Sequence, residues 1–367
     1  MLKFKKNFQI LFKIIFYKIF KIIYGNITRK TTCKENIDLK LEEIKINNSF
    51  YKVYYCNNSS LYTDTIHDTA FIKDNQIVEG PSFQLRDNFD VDCLNNSVIK
   101  KGTPRLRKKI SGTVLSLLTG GGGNSNYWHW MFDVLPRIEI FKRKNKNLDL
   151  INFYLFPSLK KRFQEESLDL LGIAPEKRLS SLTHRHLQAD RIIATSHPYN
   201  ALNDPRVDSL NLPYWIYDYL RFEFLKKGLQ NTNLKSFPKK IYINRKDSTS
   251  LRYIINLHEV EDILEKEKFS NLTMSDYSFA DQISLFYNAT EIIGLHGAAF
   301  ANIIFCKKNT KIIELRPNTA GDIIKNLAID NKLIYSDISS PPKTLNFNNQ
   351  AGDIEIDLKI LESLVKK

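Results

Sequence analysis

From residue 112 onward short apolar runs alternate with longer amphipathic stretches, and that alternation constrains the fold more than any other feature of the chain. Runs at 112–118, 151–156 and 190–195 read as strands, with helices at 126–141 and 159–171 between them and an aromatic helix at 214–229 after them. A polar stretch containing Pro238, residues 230–240, reads as a linker. Beyond it, strands at 240–244, 271–274, 291–295, 311–315 and 332–335 alternate with helices at 257–268, 279–289, 298–305 and 322–330. Strands joined through helices run parallel, because the helix returns the chain to the end where the strand began. The expectation is an α/β protein of two Rossmann-like units facing a cleft, with ligands bound outside the carboxyl ends of the strands. Residues 30–110 lack helical periodicity and read as short strands and loops.

Charge is distributed unevenly. The formal net charge is +14, and residues 1–34 contribute eight Lys and Arg29 with no acid, leaving about +5 for the rest. On a 3.6-residue wheel Phe4, Phe8, Leu11, Phe12, Ile15, Ile19, Ile22 and Ile23 share one face, with Lys3, Lys6, Gln9, Lys13, Lys18 and Lys21 opposite. Lysines interrupt every apolar run, so the segment reads neither as a spanning helix nor as a signal peptide. It fits a helix lying in the interface of an anionic membrane through residues 2–24; docking on the protein's own core is the alternative. Basicity gathered in a tail, and not spread over a folded face, argues against a nucleic-acid partner. Cys33, Cys56, Cys93 and Cys306 lack metal-like spacing and are too few for a disulfide framework, so a reducing compartment is expected.

Two strand-to-helix turns carry the candidate chemistry. The first is Gly120-Gly121-Gly122-Gly123 followed by Asn126-Tyr127-Trp128-His129-Trp130, with Asp133 four residues after His129 and so on the same helix face. A histidine paired with a carboxylate suits general-base work; a buttress for the loop is the plainer reading. The second is Gly294-Leu295-His296-Gly297-Ala298 running on to Asn302, where small residues and helix amides favour an anion. Neither turn has the glycine spacing of a nicotinamide or Walker site. Asp90-Val91-Asp92 is formally a DxD but precedes the first clear strand and reads as chance, and His184-Arg185-His186 reads as a basic loop with no third ligand near.

Together these features resemble glycosyltransferase family 61, which includes plant xylan arabinosyl- and xylosyltransferases, animal protein O-linked N-acetylglucosaminyltransferases and bacterial polysaccharide enzymes. The resemblance spans roughly residues 112–317. It rests on the Asn126 to Trp130 run with Asp133, Pro136 and Arg137, and on Tyr242-Ile243-Asn244-Arg245 with Arg252, Asn256 and Glu259. Phe279, Gln282, the Gly294 to Asn302 run, Glu314 and Pro317 extend it. It implies a GT-B fold, a nucleotide-sugar donor expected to be UDP-linked, inversion at the anomeric carbon, and a donor site in the C-terminal half.

On that basis the expected organisation is a membrane-surface helix (1–30), an acceptor domain (31–235), a nucleotide-sugar domain (236–340) and a tail (341–367). His129 is expected to be the base, with Asp133 fixing its tautomer or acting in its place, and Asn126, Tyr127, Trp130 and Arg137 on the acceptor side. The donor is assigned to Arg245, Arg252, His296, Gly297, Ala298, Asn302 and Glu314, with Glu314 accepting ribose hydroxyls. No metal or other cofactor is expected, since arginines and helix amides can meet the charge of the leaving diphosphate. The expected activity is sugar transfer to a saccharide in surface polysaccharide (capsule or lipopolysaccharide) biosynthesis, at the cytoplasmic face of the membrane. The alternative is a non-catalytic nucleotide- or glycan-binding module.

Overall fold

The computed structural model describes residues 2–63, 68–84, 92–118, 125–199, 211–248, 252–343 and 352–366, with side chains from residue 13 onward apart from 83 and 84. The glycine run at 120–123, and Asp90 with Val91, lie outside the described residues. The chain divides into two units, Met1–Lys161 with Ile173–Asp204 and Arg162–Gly172 with Pro205–Lys367.

The first unit is built on a mixed sheet, ten-stranded among the described residues. Arg178–Ser180, Phe153–Phe156, Lys108–Ser116 and His186–Thr195 run parallel as successive neighbours. His186–Thr195 then pairs antiparallel with Ser49–Tyr62, which continues the sheet through Leu39–Ile46, Asp68–Lys73 and Gln76–Val78. The antiparallel half grows out of its turns. Asp74 and Asn75 take positive φ values of 48° and 58° between the paired residues Lys73 and Gln76, the backbone of a tight hairpin whose twist matches that of its strands. The residues expected to form scattered short strands thus form half of one sheet, sharing a core in which Leu61, Phe71, Val114, Leu155 and Ile192 are buried.

The helix Leu2–Tyr24 leads into this unit. Phe20 is buried, and Tyr24 sets its ring against the edge of His186 at 5.0 Å and accepts a hydrogen bond from the Arg107 backbone N–H at 3.1 Å. The wheel's apolar face stays out: Ile15, Ile19, Ile22 and Ile23 are 50%, 47%, 85% and 56% exposed. Docking therefore uses the flank carrying Phe20 and Tyr24. No helix among the described residues is long and apolar enough to cross a membrane.

Among the described residues the second unit holds five parallel strands in the order Ser270–Leu272, Lys240–Ile243, Glu291–Leu295, Lys311–Pro317, Ile334–Ser340. Counted along the chain this is 2-1-3-4-5, a doubly wound order whose switch point falls between Lys240–Ile243 and Glu291–Leu295. Buried runs such as Ile292, Ile293 and Gly294 reflect cover on both faces of a parallel sheet. The helix Tyr214–Asn231 belongs here: Phe224 meets Phe279 edge-on at 5.2 Å, and Gly228 lets Ile283 approach to where a Cβ would be 2.7 Å away. The polar stretch 230–240 accordingly lies within the second unit. In the described part of the C-terminal segment, Ile354, Ile356, Leu361 and Val365 complete the core around Val260 and Leu264.

Candidate active site

In the first unit, Lys108–Ser116 and His186–Thr195 are parallel neighbours, so the segments leaving their carboxyl ends, 125–133 and 196–199, emerge side by side. Asn126 caps the helical segment, its side chain accepting from the Trp128 and His129 amides at 2.9 and 3.4 Å. The expected single helix is broken into Tyr127–His129, a π-helical turn Trp130–Val134 and Pro136–Asn145. In the π-helical turn the Leu135 amide donates five residues back, to Trp130 O at 3.1 Å, and Pro136, which has no N–H for Phe132 O, opens the helix that follows.

That turn carries His129 and Asp133. His129 Nδ1 lies 2.7 Å from Asp133 Oδ2, and the Tyr199 hydroxyl donates to Oδ1 at 2.8 Å. Arg137 passes beneath, with Nε on Asp133 O at 3.1 Å and Nη1 on Thr195 O at 3.0 Å. His197 completes the cluster, its ring edge-on to Tyr199 at 4.2 Å and Nδ1 donating to Tyr199 O at 3.2 Å.

Burial works against the charge on His129, but the charge and hydrogen bond of Asp133 prevail and raise its pKa above 6.5. Burial also opposes ionisation of Asp133; His129, His197 and the Tyr199 hydroxyl outweigh it and hold the carboxyl below its ordinary value. Burial takes His197 down to about 4, so it is neutral, and Arg137 down to about 10, so it is still charged. An ionised carboxylate can only accept, so Nδ1 of His129 carries a proton in either state of the ring, and Nε2 can accept one when the ring is neutral. The His129 side chain is 36% exposed and that of Asp133 only 5%. With both oxygens of Asp133 engaged, the geometry favours His129 over Asp133 for proton transfer.

The other residues expected on the acceptor side divide. Trp130 is fully buried against Phe156 and Arg137 is a buried clamp, while Asn126, the helix cap, is exposed and Tyr127 is half-buried. Trp130 and Arg137, both expected on the acceptor side, thus lie in the interior of the unit. His197 and Tyr199 escaped the sequence reading, although their place just past an apolar strand is where α/β sheets bind ligands.

In the second unit the switch point gathers Arg245, Arg252 and His296. Arg245 Nη1 donates to His296 O at 2.9 Å and Nη2 to Ser248 Oγ at 2.6 Å, and Arg252 Nη1 donates to the same His296 carbonyl. Gly297 makes room for them, because a Cβ there would sit 2.1 Å from Arg245 Nη1. Burial lowers the pKa of both guanidiniums; the neighbouring Arg245 adds to the effect on Arg252, which falls to about 10 despite Glu314. A half-buried and a buried guanidinium around one carbonyl make a cationic site whose chemistry suits an anion. Ala298, half-buried, opens the 3₁₀ segment Ala298–Phe305 beside them.

Glu314 and Asn302 do other work than expected. Glu314 is fully buried, one carboxylate oxygen on His296 Nδ1 and the other accepting from the Tyr335 hydroxyl at 2.5 Å, an arrangement that orients the His296 ring. Asn302 is also fully buried and donates to Gln282 Oε1 at 3.0 Å, while Gln282 donates to Met274 O at 2.9 Å. It joins two elements of the core. Asn256, another residue of the resemblance, exchanges two 2.9 Å hydrogen bonds with the Ile356 backbone and fastens the C-terminal segment.

Both clusters fall in one stretch recognisable in other proteins. Residues 127–313 match the family model Glycosyltransferase 61, and 188 residues are 27% identical to protein O-linked-mannose β-1,4-N-acetylglucosaminyltransferase 2 of Xenopus laevis, and equally to that of Xenopus tropicalis. Each alignment covers 50% of this chain and 31% of the relative, so the chain matches about a third of the length of these curated proteins. A doubly wound unit with paired arginines at its switch point and a histidine–carboxylate pair upstream, within such a match, defines a glycosyltransferase. The chain belongs to the glycosyltransferase 61 family.

Proposed function

We propose that this enzyme is of the GT-B type and transfers a sugar with inversion from a nucleotide-diphosphate donor, UDP-linked, to a saccharide hydroxyl during surface-polysaccharide assembly at the cytoplasmic face of a membrane. The observation that carries the reading is the His129 ring, held by Asp133 at Nδ1 with Nε2 left as the proton acceptor. In the proposed step the acceptor hydroxyl gives its proton to Nε2 as its oxygen bonds to the anomeric carbon. The bond from that carbon to the diphosphate oxygen breaks on the opposite face, and the departing charge is met by Arg245 and Arg252. No metal is assigned a part in this step. His296 and Gly297 shape the arginine site, with Glu314 as a positioning residue. The exposed face of the Leu2–Tyr24 helix, with its lysines, supports attachment to an anionic membrane.

The test has two parts. Nucleotide sugars are screened for thermal stabilisation of the protein, starting with UDP-N-acetylglucosamine because the Xenopus proteins are named for transfer of that sugar. The best donor is then supplied with saccharide acceptors and the anomeric configuration of the product is read by NMR. Donor binding without transfer to any acceptor would support a non-catalytic binder, and retained configuration would exclude the single-displacement step.

A further inference from the structure

Beyond the N-terminal helix the chain has a second concentration of positive charge. Lys100, Lys101, Arg105, Arg107, Lys108 and Lys109 fall within ten residues, and no acidic residue occurs between Asp92 and Asp133. Lys100, Arg105, Lys108 and Lys109 are exposed, and among the described residues none of the four is paired with a carboxylate. In their midst Leu106 is 78% exposed.

The segment lies on the end of the helix. The Arg107 guanidinium stacks over the Tyr24 ring at 4.4 Å while its amide bonds the Tyr24 hydroxyl, and a Cβ on Gly102 would come within 2.9 Å of the Lys21 side chain. Gly102 at φ 67° provides the turn that brings the chain there. Ile22 and Ile23, 85% and 56% exposed, belong to the same last turns.

We infer that residues 100–109 form a second lipid-binding element, which with the helix's exposed face seats the first unit on an anionic bilayer. The inference rests on the proposed membrane attachment and deepens it: the helix becomes one edge of a folded docking surface, so attachment also fixes how the unit is oriented. The chemistry selects a bilayer over a nucleic acid. A phosphate backbone would engage the cations but leave Leu106, Ile22 and Ile23 in water, whereas anionic head groups take the cations while the acyl boundary takes the apolar side chains.

The test is co-sedimentation of the full chain with phosphatidylcholine vesicles with and without phosphatidylserine. Three proteins are compared with the parent: Lys108→Glu/Lys109→Glu, Leu106→Asp, and Ile19→Asp/Ile22→Asp in the helix. A basic residue near an anionic leaflet changes partitioning about fivefold, so the double lysine variant is expected to lose at least about 25-fold on anionic vesicles at low salt. Leu106→Asp should lose about tenfold, with unfolding midpoints unchanged because these side chains are exposed. Parent-like binding of both loop variants, with release of the helix variant, overturns the second element and leaves the helix attachment standing. Parent-like binding of all three overturns both. Loop variants that lose affinity for an RNA duplex but not for vesicles also overturn the proposal.

Discussion

Replacing Asp133 by Asn tests the pair at the centre of the proposed mechanism. The substitution keeps the shape but removes the charge to which His129 Nδ1 is bonded at 2.7 Å and which the Tyr199 hydroxyl meets at 2.8 Å. Two hydrogen bonds to a charged group, each worth about 1.5–3 kcal/mol, become neutral ones worth about half as much, and the charge of Arg137 loses a buried counter-charge; a loss of roughly 2–4 kcal/mol in stability is expected. Its pH dependence has a definite sign. The raised pKa of His129 gives stability that is complete below 6.5 and fades as pH rises through the raised value, while the lowered pKa of Asp133 gives stability lost only as the solution becomes strongly acidic. The gap in unfolding midpoint between parent and variant should therefore be widest on the mildly acidic side of neutrality and narrow under alkaline conditions. Turnover should fall about a hundredfold to ten-thousandfold with donor affinity retained. A base must be unprotonated to act, so if His129 is the base the acidic limb of kcat/KM in the parent should lie above the ordinary histidine range; without Asp133 only burial acts on His129, and the limb should move down. Turnover within about threefold of the parent together with an unmoved limb would refute the dyad.

Tyr199→Phe removes one bond to Asp133, making the carboxylate more basic; a stability loss of about 1–2 kcal/mol and an upward shift of the same limb are expected by pH-dependent kinetics. Arg245→Ala should weaken nucleoside-diphosphate binding by about 1.5–3 kcal/mol in calorimetry. Gly297→Ala should weaken it too, because its Cβ would fall 2.1 Å from the guanidinium; intact affinity in both would move the donor elsewhere. Asn302→Ala is expected to lower the unfolding midpoint, leaving Gln282 unpartnered at that oxygen, while donor affinity in the surviving folded protein stays unchanged. Turnover in excess chelator should equal that in its absence, and activity restored only by a divalent ion would assign charge neutralisation to a metal.

Much of this could be read from the chain alone, because the information was local. The continuous apolar runs of the second unit mark strands buried on both faces, and the four-residue interval between His129 and Asp133 puts them within reach of one another on a helical turn. The strand-to-small-residue turn at His296 likewise marks a strand end wherever the sheet is placed. What the tertiary structure decided depends on partners far along the chain. Tyr199 is 66 residues from Asp133, and Tyr335 is 21 from Glu314, yet each fixes what its carboxylate is free to do. Periodicity tells which residues share a face; it cannot tell whether that face meets solvent or a second layer, which is why Trp130, Asn302 and Arg137 read as ligand contacts and proved to be interior. The antiparallel half of the first sheet and the C-terminal segment bound to Asn256 were hidden for the same reason: their short strands and helix gain stability only from contacts with residues remote in sequence.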